Sequence, residues 1–124
     1  MNVYKVTVDK FGAKRWYRNG VLDCVDGPAV EYENGGKEWW VNGLHHRIDG
    51  PAVEQATGYK EWWVNGKLHR EDGPAVEWAN GDKAWWLNSA SYSEEEFLAK
   101  TQPAKELTIA DIEKLLGHRV KVVK

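Results

Sequence analysis

The chain has 124 residues, with 17 Lys plus Arg against 19 Asp plus Glu and a formal net charge of -2. That length allows one ordinary domain, and the slightly acidic balance removes the general electrostatic case for nucleic-acid binding. No run reaches the roughly 18 apolar residues of a membrane span, lone Cys24 has no partner for an internal disulfide, and charges fill the stretch where a secretion signal would be apolar, so the expectation is a soluble, cytoplasmic protein.

Tyr4-Lys5-Val6-Thr7-Val8 alternates apolar and polar residues, which predicts a strand over the first edge of whatever follows; Asp9 to Gly12 predicts a turn. From there a repeat governs the chain. Trp16, Trp39, Trp62 and Trp85 are each 23 residues apart, as are Asn19, Asn42, Asn65 and Asn88, and as are Gly27, Gly50 and Gly73, each followed by Pro-Ala. Self-similarity at such a period predicts an array of small units, each burying its apolar surface against the next. Within a unit, Glu61-Trp62-Trp63-Val64 runs into Asn65-Gly66, the strongest short hairpin signal. Pro74 to Trp78 opens a further strand with proline at its tolerated first position, and Asn80-Gly81 turns the chain back to Lys83. The apolar area comes from eight Trp and five Tyr rather than from the two Phe: large flat side chains with a polar handle.

After the fourth, partial unit the pattern changes. Ser93-Glu94-Glu95-Glu96 is a capping-box pattern and predicts a helix that Thr101 to Ala104 breaks. A second helix is predicted from Thr108 as N-cap to Gly117, with Ile109, Ile112, Leu115 and Leu116 on its apolar face and a Leu107–Ile112 staple, followed by a strand over Arg119 to Val123. The fold class is therefore mainly β: a single-layer antiparallel β-meander of hairpin repeats, seven or more strands wide, with a small C-terminal strand-helix-strand cap. The organisation reads as an N-terminal capping strand and turn (1–13), an array (14–92, in units 14–37, 38–60, 61–83 and partial 84–92) and a helical cap (93–124).

A two-residue turn at Asn80-Gly81 would set Val76 opposite Trp85 and Ala75 opposite Trp86. Alternation then gives one face holding Trp16, Trp39, Trp62 and Trp85 with Val30, Val53, Val76, Tyr32 and Trp78, and another holding Tyr17, Trp40, Trp63 and Trp86 with Ala29, Ala52, Ala75, Leu22 and Leu68. Glu31 would oppose Glu38, and Glu54 would oppose Glu61; such carboxylates splay into solvent, meet a cationic partner, or contribute to a divalent-metal site, for which the four oxygens fall short of the six or so that calcium wants. One column is expected to be buried and the other exposed. The column of Tyr17, Trp40, Trp63 and Trp86, with Glu38, Glu61, Arg47 and Arg70 beside it, is the candidate partner-binding surface. His46 and His69 read as structural, their rings beside Trp39 and Trp62, with Asp49 and Asp72 tying the turns and pairing with arginine; Cys24 reads as a small filler. No nucleophile–base pair, phosphate loop or metal-ligand spacing occurs, so no catalytic residue, metal ligand or cofactor is expected.

Trp62-Trp63-Val64-Asn65-Gly66-Lys67-Leu68-His69, followed by Asn80-Gly81-Asp82-Lys83, resembles MORN repeats, which share the 23-residue period. The likeness covers about residues 14–89 and departs from the family where Arg47 and Arg70 follow the histidines and Asp-Gly-Pro-Ala follows them. Similar Trp-rich repeats occur in small proteins of tailed phages and some bacteria. The resemblance implies a β-hairpin array used for binding, with no chemistry of its own. The expectation is then a non-catalytic module acting on a protein partner, either a host protein such as a defence enzyme, in the host cytoplasm, or a second copy; no specific nucleic acid and no membrane is expected. The alternative is a protein that sequesters a small molecule or nucleotide between its aromatic columns.

Overall fold

The computed structural model describes residues 3–102 and 109–117. Its first strands, β1 (Lys5–Val8) and β2 (Lys14–Arg18), pair antiparallel with Val6 opposite Trp16. The turn between them is built by Asp9, whose Oδ1 accepts the N–H groups of Phe11 and Ala13 and whose Oδ2 accepts from Arg15.

The array follows as short strands: β3 (Val21–Leu22), β4 (Val30–Glu31), β5 (Lys37–Glu38), β6 (Trp40–Val41), β7 (Leu44–His45), β8 (Val53–Glu54), β9 (Lys60–Glu61), β10 (Trp63–Val64), β11 (Lys67–Leu68), β12 (Val76–Glu77), β13 (Lys83–Leu87) and β14 (Ala90–Tyr92). The strands are short because each unit forks at its first tryptophan. The Trp39 N–H donates to the Ala52 carbonyl (2.7 Å), whereas the Trp39 carbonyl accepts from the His46 N–H (3.1 Å). Trp16 stands in the same way between Ala29 and Asp23, and Trp62 between Ala75 and His69. Before the fork the chain lies in a continuous sheet, ordered β1-β2-β4-β5-β8-β9-β12-β13-β14. Beyond it the chain enters an Asn-Gly hairpin, as in β6–β7 and β10–β11. Neighbouring hairpins are joined in turn: Cys24 N–H to the Trp40 carbonyl, Arg47 N–H to that of Trp63, and Arg70 N–H to that of Trp86. Two ladders thus diverge from the column of branch tryptophans, with the Asp-Gly-Pro loops between them.

The hairpin turns are as the sequence predicts. Asn19, Asn42, Asn65 and Asn88 have φ between 48° and 52°, and Gly20, Gly43 and Gly66 between 75° and 79°, the left-handed pair that a type I′ turn requires. The other turn differs. Gly81 N–H donates to the Trp78 carbonyl while Trp78 N–H donates to that of Asp82: a three-residue loop with Gly81 at φ 94° as its bulge. Val76 consequently pairs with Ala84 and Glu77 with Lys83, one residue off the expected register, and a one-residue slip moves side chains to the other face.

Two expectations fall with that slip. Glu31 faces Lys37 rather than Glu38, and Glu54 faces Lys37 and Lys60 rather than Glu61. Lys14, Glu31, Lys37, Glu54, Lys60, Glu77 and Lys83 form an alternating charge row across the sheet, each contact a favourable cross-strand pair. Val30, Val53 and Val76 lie opposite Glu38 and Glu61, on the face of Trp40 and Trp63. Neither tryptophan column is buried: Trp16, Trp39, Trp62 and Trp85 are half-exposed, and so are Tyr17, Trp40, Trp63 and Trp86. What is buried is small, namely Ala29, Ala52 and Ala75 beside the branch tryptophans, and Val30, Val53 and Val76 on the other side. A sheet one layer thick gives each large ring only its lateral neighbours to pack on.

At the far end α1 (Glu94–Thr101) packs on β13 and β14, burying Phe97. Its capping box forms as predicted: Ser93 Oγ accepts the Glu96 N–H and Glu96 returns a carboxylate oxygen to the Ser93 N–H. The second helix, α2 (Ile109–Leu116), ends at Gly117, φ 76°. The expected Thr108 cap, the Leu107 side of the staple and the strand over 119–123 lie outside the described residues. Among the described residues no helix is long and apolar enough to cross a membrane.

Candidate binding surface

Beyond the fork, cross-strand pairs set Tyr17 beside Leu22, Trp40 beside His45, Trp63 beside Leu68, and Trp86 beside Ser91. Because successive hairpins are hydrogen-bonded, these pairs line up as one column, Tyr17–Leu22–Trp40–His45–Trp63–Leu68–Trp86, on one face. The His45 ring lies 3.7 Å from the Trp40 centroid and 5.3 Å from that of Trp63.

Carboxylates pin the rings. Trp40 Nε1 donates to Glu38 Oε1 at 3.0 Å, His45 Nε2 meets the same oxygen at 3.0 Å, and the Tyr32 hydroxyl donates to Glu38 Oε2. Glu38 and Trp40 are two residues apart, so strand alternation puts them on one side. His45, with Tyr32 and Trp40 adding to it, holds the Glu38 carboxyl down to about 2 against the opposing effect of burial. Its hydrogen bond to Glu38, with burial, pushes Tyr32 up to about 12. The next unit repeats the device: Trp63 Nε1 donates to Glu61 Oε1 at 2.9 Å and the Tyr59 hydroxyl to Oε2 at 2.6 Å, with burial first and Glu61 second raising Tyr59 to about 12. Glu38, held so acidic, is a poor proton acceptor near neutral pH; here it orients rings.

Tyr17, Trp40, Trp63, Trp86, Glu38 and Glu61 are therefore together, as expected. Arg47 and Arg70 are not with them. Each guanidinium lies over the preceding branch tryptophan, 3.8 Å from the Trp39 ring and 4.0 Å from that of Trp62, and residues 39 and 40 point to opposite faces. Arg47 is further tied to Asp49 (3.0 Å), the Pro51 carbonyl (3.1 Å) and Glu54 (3.4 Å), and Arg70 repeats those contacts with Asp72, Pro74 and Glu77. Between successive loops this second face carries grooves of about 600 Å³ beside Trp39 and about 680 Å³ beside Trp62.

His46 and His69 lie across from Trp39 and Trp62, whose carbonyls accept their N–H groups, and each ring makes a contact that was not expected. Arg47 and Arg70 cover the rings of Trp39 and Trp62. His46 Nδ1 accepts the N–H of Asn65, and His69 Nδ1 that of Asn88, each at 3.0 Å. Asp23 does the same for Asn42 at 2.7 Å and is also paired with Arg18. Each unit thus latches the turn of the next. His45, Tyr32 and Tyr59 escaped sequence reasoning as parts of the ring-pinning network; the recurring Glu-x-Trp of Glu38/Trp40 and Glu61/Trp63 was the available signal. Among the described residues no three His, Cys, Asp or Glu side chains converge as a metal site would need.

No protein-family model, curated protein or solved structure matches the chain.

Proposed function

We propose that the chain is a non-catalytic, MORN-like repeat module that binds another protein through the face carrying Tyr17, Trp40, Trp63 and Trp86. The observation that carries this reading is the aromatic column itself: half-exposed rings aligned across the hairpins, with Tyr32 and Trp78 also exposed on the molecule. Contiguous apolar surface of this kind marks interaction sites, and Trp and Tyr dominate interface energetics. Glu38 and Glu61 already hold the indoles in place, so little side-chain freedom is left to lose on binding. Insertion of a flat small molecule needs an open slot, whereas His45 stands between Trp40 and Trp63, and Leu68 between Trp63 and Trp86. The likeness to repeats of small phage proteins makes a cytoplasmic host protein, such as a defence enzyme, the first partner to test.

Immobilised protein, with Trp40→Ala/Trp63→Ala and Arg47→Ala/Arg70→Ala as paired variants, tests the reading against a bacterial lysate with mass-spectrometric identification. The expected result is a specific partner lost with the tryptophan pair and kept with the arginine pair. Loss with the arginine pair alone would move the site to the grooved face.

A further inference from the structure

The array covers its first edge with β1, which leaves β1 itself as the new edge among the described residues. Backbone direction shows what that edge offers. The Trp16 N–H points to Ala29 and its carbonyl to Asp23, away from β1. Alternation then turns the backbone groups of Arg15 and Tyr17 toward β1, where Thr7 and Lys5 are their register partners. The Asp9 N–H, donating to the Ala13 carbonyl, keeps the same parity. The N–H and carbonyl groups of Val6 and Val8 therefore face outward, with no partner among the described residues. Their side chains are exposed too, Val6 at 49% and Val8 at 62%.

An outward-facing pair can only match another outward-facing pair, so two antiparallel copies of β1 must centre their contact on a residue, not between residues. Centred on Val6, Lys5 would oppose Thr7 and Tyr4 would oppose Val8. Centred on Val8, Thr7 would oppose Asp9 and Val6 would oppose Lys10. Centred on Thr7, Val6 meets Val8, Lys5 meets Asp9, and Thr7 meets Thr7: apolar with apolar, cation with anion, threonine with threonine, each a favourable cross-strand pair. Lysine on an edge strand ordinarily discourages pairing; in this register Lys5 is answered on both sides of the dyad, so it selects one alignment and disfavours the others.

We infer that β1 is a self-association edge, on which a second copy of this chain pairs antiparallel about Thr7. The dyad stands perpendicular to the sheet, so both copies turn the same face outward, with their aromatic columns displaced along the strand by the four residues from Lys5, the partner of Tyr17, to Asp9. With strands of four residues the contact is small, and the dimer is a weak one that depends on concentration. This inference stands independently of the partner-binding reading, since it uses the edge and not the face.

Sedimentation velocity over a concentration series tests it. The wild-type chain should shift from one copy to two, and Val8→Pro should shift the dissociation constant upward by about tenfold or more with an unchanged circular dichroism spectrum, because proline there removes only an outward N–H. In a Cys24→Ala background, Thr7→Cys should oxidise to a linked dimer, since a non-hydrogen-bonded pair brings the two Cα atoms within disulfide range; Val6→Cys should not. A wild-type chain monomeric throughout, a dimer indifferent to Val8→Pro, linkage through Val6→Cys instead, growth beyond two copies, or a dimer abolished by Trp63→Ala would each overturn the inference. Where Val8→Pro fails to fold, the cysteine pair decides alone.

Discussion

Glu38 keeps its charge well below the usual carboxylate range because His45 above all, with Tyr32 and Trp40, hydrogen-bonds the carboxylate. Its folded value, about 2, lies below its ordinary 4.5, so the folded state binds fewer protons; the stabilisation is fully present above the ordinary value and is lost as pH falls toward the folded one. Tyr32, raised from 10.0 to about 12, works in the other direction: its contribution is complete below 10.0 and disappears as pH rises through about 12. Urea denaturation of wild type and Glu38→Gln should show a gap of about 1 kcal/mol at neutral pH, narrowing between pH 4.5 and pH 2 as the wild type alone loses its carboxylate. A gap constant across that window would mean that the network contributes nothing as a charge. The tryptophans give a second comparison. Trp62 and Trp63 are both half-exposed, so Trp62→Ala and Trp63→Ala should each cost about 2 kcal/mol, below the figure for a fully buried ring; a difference above about 1.5 kcal/mol would show that one column is core and the other surface.

Hairpin turns were legible in the sequence because Asn-Gly is a local signal: two residues suffice to require positive φ. The turn after Trp78 was not, because Asn80-Gly81 can sit in a two-residue loop or serve as the end of a three-residue one, and only the pairing of β12 with β13 decides. That single residue displaced the valines to the other face and produced a conflict of glutamates that does not exist. The inter-unit latch was hidden for a related reason: His46 meets Asn65, 19 residues away, across a junction that no local pattern describes. Asn65→Ala should cost about 1–2 kcal/mol through its left-handed backbone, whereas Asn65→Gly should fall within about 0.5 kcal/mol of wild type. At the latch, His46→Ala should cost about 1 kcal/mol as one lost hydrogen bond. His46→Asp should cost more, even though Asp23 occupies the equivalent place, because Arg18 answers Asp23 and the counterpart of Arg18 is Val41. Adding Val41→Arg should recover part of that loss, and a double-mutant cycle by urea denaturation measures how much.

Because every junction uses the same fork, stacked arginine or its substitute, and latch, the array behaves as a one-dimensional stack in which stability is a sum of units and junctions. Removing residues 38–60 would join Lys37 to Glu61 in the register that Lys37 already has with Glu38, and Asp23 would then receive the N–H of Asn65 in place of that of Asn42. The shortened chain should fold with the same β spectrum, and its urea m-value should fall by about a fifth, in proportion to the 23 of 124 residues removed. Failure to fold would mean that the units are not equivalent and that the first junction, where Cys24 stands in place of arginine, carries an obligatory contact.

The strand order also has a mechanical meaning. β1 lies at one end of the sheet and β14 at the other, so tension applied to the two termini runs across the strands and loads the ladder one rung at a time, as in opening a zipper. Such peeling meets low resistance compared with the shearing of strands pulled along their length. Each 23-residue unit released would lengthen the tether by about 70 Å, from about 3.4 Å per extended residue less the roughly 10 Å that two strand spacings already span. Single-molecule stretching should record a low, evenly stepped extension, a spring that gives way in equal increments instead of breaking at one load.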